Sequence, residues 1–359
     1  MALDEPQRTN TSEQSAPAPA GNDASPKPSV MTRIGGFLPG IILCLAMGGV
    51  ALAAARLLPG MSPLLITILL GALWRNLAPV PAVFGPGVAF SAKKLLRTGI
   101  VLLGFQLSLG AILALGPGVL AIVVLCVGVT FLATVWIGGR LGIELPQRLL
   151  IAAGFSICGA AAVAGAEGAT RAKQDQVATA IGLVVLFGTL MIPLAPALGA
   201  LLGLSETNIG VLIGASTHEV AQVVAAGGAV GATALSVAVT VKLARVVMLA
   251  PIMAGLSLYM SRKHNVEGGK KPPLIPLFVA LFLVAMLTRT TGLLPESFLQ
   301  LASTAQTILL AAAMFALGLG VHLKSIVKSG GRSLLLGLLS TLIILVIAVA
   351  GALLYSPMP

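Results

Sequence analysis

Residues 231–260 read GATALSVAVTVKLARVVMLAPIMAGLSLYM, and this stretch decides the fold class. A bilayer-spanning helix needs roughly 20 mostly apolar residues, and the stretch supplies them. Yet Lys242 and Arg245 lie inside it, with no Asp or Glu in the same run to neutralise them. An ionisable group inside a span costs about 2.5 to 3.5 kcal/mol on insertion scales, so it marks a functional position by default. The two cations are i and i+3 and share one helix face. A span built this way implies a multi-spanning membrane protein that handles an anion.

The rest of the chain has the same character. Hydrophobic residues make up 57%, charged residues 9%, and mean hydropathy is +1.03. Soluble domains carry about 25% charged residues, so a soluble fold is excluded. The formal net charge of +11 does not point to nucleic acid, because the basic residues fall mainly in short gaps between apolar runs, where they act as topology signals. Cys44, Cys126 and Cys158 all sit in apolar runs without CxxC spacing, which indicates neither a disulfide framework nor a metal site. No cofactor motif is present.

Hydropathy places spans at residues 34–58, 61–79, 88–113, 116–139, 147–168, 174–203, 206–227, 231–260, 273–293, 297–322 and 332–356. The expected fold is all-α and polytopic, with about eleven transmembrane helices. Residues 1–33 are rich in Ala, Pro, Ser, Gln and Asn and read as a disordered cytoplasmic tail. Residues 34–58 read as an extra N-terminal transmembrane helix; Ala51-Leu52-Ala53 resembles a signal cleavage site, but the run is too long and starts too late for an ordinary signal peptide. An odd span count puts the termini on opposite sides. One side collects most of the Lys and Arg, while Arg56, Arg171, Lys173 and Arg289 fall on the other, so the N-terminus is expected in the cytoplasm and the C-terminus outside.

A repeat supports this layout. Lys94-Leu95-Leu96-Arg97 opens the third span and Lys242-Leu243-Ala244-Arg245 lies in the eighth, and both read K-L-x-R. Residues 59–203 and 204–359 then form two five-helix units in which the two stretches hold the second place. Five is odd, so the second unit is inverted, as in many secondary transporters that bind substrate near the midplane. The fourth element of each unit is glycine-rich: Gly154-Phe155-Ser156-Ile157-Cys158-Gly159 in the first, Ala313-Met314-Phe315-Ala316-Leu317-Gly318-Leu319-Gly320 in the second. Such stretches either allow close helix packing or break the helix, so that a half-helix N-terminus faces an anion. On the second reading Ser156, Cys158, Gly159 and Gly318 join Lys242 and Arg245 at the substrate, with Lys94 and Arg97 as secondary contacts.

The seventh span carries Ser216-Thr217-His218-Glu219 and Gln222. At helical spacing these form a polar stripe on an otherwise apolar helix. Glu219 or His218 is either a proton carrier or a counter-ion to Lys242 and Arg245, with Gln222 beside them, or the stripe is a structural buried pair. Glu167, at the expected outer end of the fifth span, is either a second proton site or a solvated flank residue. His264 reads as a loop residue and His322 as a helix-end residue.

The stretch T-H-E-V-A-Q-V-V-A-A-G from Thr217 resembles the signature of a family of YeiH-type bacterial inner-membrane proteins described as sulfate exporters. G-F-S-I-C-G-A-A-A-V from Gly154, K-L-A-R-V-V-M-L-A-P from Lys242, A-M-F-A-L-G-L from Ala313, L-L-R-T-G-I from Leu95 and V-L-F-G-T from Val185 agree, in order, across the chain from about residue 34. The resemblance implies export of sulfate or a related small anion across the inner membrane, and a distant likeness to transporters with two crossed broken helices. One departure is Gly168, where many relatives have Pro after the acid matching Glu167.

Other classes fit less well. A channel would use similar groups but more usually shows rings of charge or a repeated filter. An enzyme is not indicated, since H-E-x-x-H, paired metal-binding carboxylates, a nucleotide loop and a G-x-S-x-G elbow are all absent. The expected partners are a small sulfate-like anion or an organic sulfonate, membrane lipid and a second copy of the chain, with no nucleic acid.

Overall fold

The computed structural model describes residues 30–57, 63–263, 276–321 and 331–355. Residues 1–29 of the expected tail, His264 and His322 lie outside these; residues 30–33 belong to the first helix. Among the described residues every regular element is a helix. In chain order α1 is Val30–Leu57 and α2 is Pro63–Leu77. Next, α3 (Gly85–Phe90) and α4 (Leu96–Leu103) join through a π-helical turn at Ser91–Leu95, and a short α5 (Leu109–Leu113) leads into α6 (Gly116–Arg140). α7 (Leu145–Ala153) continues as a π-helical turn, Gly154–Cys158, before α8 (Ala160–Thr170) and α9 (Gln174–Leu201). The second half holds α10 (Glu206–Ser216), α11 (Val220–Val230), α12 (Ala232–Val247), α13 (Leu249–Lys263), α14 (Leu277–Thr290), α15 (Glu296–Gly318) and α16 (Gly331–Leu354).

Among the described residues, six segments are long and apolar enough to cross a membrane: Gly36–Leu57, Gly116–Arg140, Gln174–Leu201, Ala232–Met260, Glu296–Gly318 and Gly331–Leu354. Shorter apolar helices fill the spaces between them. Several of the long helices are apolar on both their buried and their exposed sides. α6, for example, buries Val119, Val123, Cys126 and Val127 and exposes Val124, Leu125, Leu132 and Trp136. That pattern suits a helix with protein on one side and lipid on the other.

α16 gives the molecule its direction. Near its start, Ser333 Oγ accepts from Gln147 Nε2 at 3.1 Å; near its end, the carbonyls of Ala352 and Tyr355 accept from Asn208 Nδ2 at 3.0 and 3.1 Å. A helix of 24 residues is about 36 Å long, so Gln147 and Asn208 lie at opposite ends of the bundle. The first is on α7 and the second on α10.

Both of those helices turn back. A side chain at Gly154 would meet Val163 Cγ2 at 2.8 Å, so α8 folds against α7 rather than extending it. The base of this hairpin closes where Gln176 Nε2 donates to Glu144 Oε2 at 2.7 Å. α10 and α11 form a second hairpin: Glu206 Oε1 accepts from the backbone N–H groups of Thr233 and Ala234 at 3.0 and 3.2 Å, which brings the end of α11 beside the start of α10. The two hairpins therefore enter from opposite ends, and α9 runs between their bases.

This corrects the expected layout in three ways. The segments 147–168 and 206–227 each leave the bundle at the end where they entered, so they are not crossings. Glu167 lies at the same end as Lys93, whose Nζ donates to its Oε1 at 2.8 Å, not at the opposite one. The second interruption falls at Thr217–Glu219, not at Ala313–Gly320, because α15 runs unbroken to Gly318. There a close approach needs glycine, since a side chain on Gly318 would meet the backbone at Gly71 at 3.0 Å. Glycine content alone does not separate packing from breaking. The interruptions now hold the fourth place in one proposed unit and the first in the other, and so do not correspond.

Candidate functional site

The tips of the two hairpins meet inside the bundle. The first turns at Gly159, with φ +76° and ψ −135°, a conformation that L side chains rarely adopt. The Glu219 carboxylate lies directly against this glycine, so any side chain here would also collide with it. The second hairpin turns over Thr217–Glu219, where Thr217 and Glu219 are extended rather than helical and His218 lies in a bend between them. Glu219 starts α11 with a capping box: its side chain accepts from the backbone of Gln222, and its own N–H donates to Gln222 Oε1 at 3.0 Å. The same carboxylate accepts from the backbone N–H of Ala160 at the start of α8. One carboxylate thus satisfies the N-terminal ends of both returning helices, where the dipole favours a negative group.

Lys242 and Arg245 serve the opposite ends. Lys242 Nζ donates to the carbonyls of Ile157 at 2.9 Å, Thr217 at 2.9 Å and His218 at 2.6 Å. Arg245 Nη1 donates to Gly214, Ala215 and Thr217 at 3.1, 2.8 and 2.9 Å, and Nη2 to Phe155 and Ser156 at 3.3 and 2.8 Å. These are the last carbonyls of the two entering arms, which lack helical partners and carry the negative ends of the dipoles. Both cations are fully buried. The ammonium's three donors are all used, whereas Arg245 Nε has no partner.

The remaining expected residues divide clearly. His218 Nε2 lies 3.1 Å from Thr341 Oγ1 on α16, and its ring centroid is 4.6 Å from that of Phe155. Gln222 lies against Gly188 of α9. Ser156 turns its hydroxyl back to the carbonyl of Ala152 at 2.7 Å, while Cys158 is buried at the tip. Lys242, Arg245, Glu219, His218, Gln222, Ser156, Cys158 and Gly159 therefore form one cluster. Gly318 stands outside it, packed on α2, and Glu167 pairs with Lys93 at one end of the bundle. Lys94 and Arg97 line a different cavity, between α4, α8, α13 and α14.

Beside the cluster is a cavity of about 30 Å³, lined by Glu219, Cys158, Ala161, Val220 and Ala221 together with apolar residues of α4 and α15. It has room for about two waters. A fully hydrated oxyanion does not fit in it.

The family described as conserved hypothetical protein 698 matches residues 39–337. The chain belongs to that family. A UPF0324 membrane protein of Corynebacterium glutamicum is 46% identical over 319 residues, covering 89% of this chain and 92% of that protein. The UPF0324 inner membrane protein YeiH of Escherichia coli K12 is 38% identical over 313 residues, covering 84% and 89%. A Yersinia pestis UPF0324 membrane protein is 38% identical over 332 residues, covering 88% and 91%. The likeness to YeiH-type proteins read from the motifs is thereby shown, and the family chain is a multi-pass membrane protein.

Sequence reasoning missed the partners that are backbone groups and the turn at Thr217–Glu219. One signal was present: Glu219 and Gln222 have the N-cap to N3 spacing of a capping box, with Gln as the returning partner. That spacing marks a helix start, whereas an i, i+3 stripe assumes an uninterrupted helix.

Proposed function

We propose that this protein is a secondary transporter of a small oxyanion, sulfate or a related sulfur oxyanion, across the bacterial inner membrane. The observation that carries this reading is the meeting of two hairpins from opposite ends over buried Lys242, Arg245 and Glu219. Non-helical backbone at membrane depth is tolerated only where protein buries it or where it lines an aqueous cavity. Broken helices of this kind form the substrate sites of many secondary transporters. Such a centre also fits a carrier better than an enzyme, because its polar groups hold backbone and not a nucleophile.

Charge supports an anion as cargo. With Glu219 ionised the cluster carries one surplus positive charge, and with Glu219 protonated it carries two, which matches a divalent oxyanion. Protonation also weakens the grip of the carboxylate on the N–H groups of α8 and α11, leaving them for the substrate. Proton and anion would then share one centre, with Glu219 as the coupling site and Lys242 and Arg245 holding the hairpin tips around it. The topology proposed with this reading has nine crossings and two re-entrant hairpins, the N-terminus in the cytoplasm, the C-terminus outside, and export as the direction.

The test is flux of labelled sulfate into proteoliposomes under imposed pH gradients, with sulfite, thiosulfate, phosphate and organic sulfonates as competitors. Saturable, pH-driven flux with counterflow is expected, and Glu219→Gln should abolish the pH dependence while sparing exchange. Single-channel currents, or no flux of any of these anions by folded protein, would contradict the reading.

A further inference from the structure

We infer that the cavity between α4, α8, α13 and α14 is a binding site for the phosphate headgroup of an anionic phospholipid. The cavity has a volume of about 470 Å³. Lys94, on the π-helical turn that leads into α4, and Arg97, on α4 itself, line it about one turn apart, and neither has an acidic partner among the described residues. Arg97 lies 5.5 Å from the ring centroid of Phe278, which fixes the guanidinium against the cavity wall and leaves its buried Nε without an acceptor. Opposite, Ser257 of α13 lines the same cavity; it is 2% exposed, and its hydroxyl makes no hydrogen bond among the described residues.

Two unpaired cations and an unused hydroxyl facing one space are the chemistry of a tetrahedral oxyanion site. An Arg fork and a Lys point charge both suit phosphate oxygens. The rim decides the source of that phosphate. Leu277 and Leu281 of α14 are 73% and 44% exposed at the mouth, on the face that continues as Val284 and Leu287 along the outside of the bundle. A free anion gains nothing from an apolar rim, whereas a phospholipid lays its acyl chains there. Basic pockets between transmembrane helices at the cytoplasmic surface commonly hold lipid headgroups in this way.

This site is separate from the hairpin tips, so its test does not depend on transport. The purified full chain would be placed in phosphatidylcholine nanodiscs with and without phosphatidylglycerol, and thermal stability and co-purifying lipid measured. Phosphatidylglycerol should raise the unfolding temperature and be retained through purification, and both effects should be lost in the Lys94→Gln, Arg97→Gln double variant. Ser257→Ala, which removes the hydroxyl without adding bulk, should weaken retention and serves as the test where the double variant does not fold. Equal lipid retention by the folded variants would overturn the proposal. So would a matching stabilisation by inorganic phosphate or sulfate in phosphatidylcholine alone, which would make the cavity a vestibule for free anions.

Discussion

At the scale of single residues, Lys242 and Glu219 do opposite jobs at one crossing, and the difference is measurable. Lys242→Met leaves the carbonyls of Ile157 and His218 without their donor, while that of Thr217 keeps Arg245. A buried unsatisfied polar group costs about 1–3 kcal/mol, so this variant should unfold at distinctly lower temperature than Lys94→Met, read by the melting of detergent-solubilised protein. A Lys242→Met protein of normal stability that lacks only flux would make Lys242 a substrate ligand rather than a cap. Gly159→Ala should be damaging too, since a strained φ/ψ costs about 1–3 kcal/mol and the methyl meets the Glu219 carboxylate. Cys158 is 3% exposed, so a thiol reagent should label it only slowly, and faster under conditions that drive turnover. The cations were legible in the sequence because charge inside an apolar run is conspicuous. Their partners were not, because backbone carbonyls have no sequence signature: the unpaired charges read as a site for an outside anion, whereas most of their donors are taken by helix ends.

At the scale of elements, the hairpins are the feature that hydropathy could not deliver. Residues 145–170 and 206–230 are as apolar and nearly as long as true spans, and a window average has no term for reversal of direction. The reversals depend on three local devices: the positive φ of Gly159, the capping box at Glu219, and the closures of the bases by Glu144 with Gln176 and by Glu206 with Thr233 and Ala234. Only the second leaves a recognisable spacing. A Glu144→Cys, Gln176→Cys pair should be joined by a short bis-methanethiosulfonate cross-linker that spans the gap left by the two shortened side chains, seen as a mobility shift that reductant reverses. Persistent failure of two accessible thiols to cross-link would argue that α8 does not return to the base of α7. Helix α15 teaches the converse: its one glycine, Gly318, was open to reading as part of a break, but it lets the helix pack backbone to backbone against α2.

For the whole molecule, the turn-back of α7 and α8 sharpens the charge asymmetry that the sequence displays. Arg171 and Lys173 move to the end that holds Arg140 and Arg148, leaving Arg56 and Arg289 among the described basic residues near the other end. A stronger bias toward one end agrees better with the positive-inside rule than the layout with eleven crossings did. The proposed sides of the termini stay as the sequence implied, because two crossings are removed and the number stays odd. A reporter fused after Pro359 should therefore be active outside the cytoplasm, and activity inside would reverse the orientation.

The side on which residue 172 emerges tests the account most directly. In a background lacking Cys44, Cys126 and Cys158, single cysteines would be placed at Gly142, Ala172 and Leu204 and labelled in intact cells with a membrane-impermeant maleimide. Re-entrant hairpins predict that Gly142 and Ala172 are both protected until the cells are opened, while Leu204 labels at once. Labelling of Ala172 from outside with Gly142 protected would show that α7 and α8 cross the membrane, and would contradict the paired-hairpin centre.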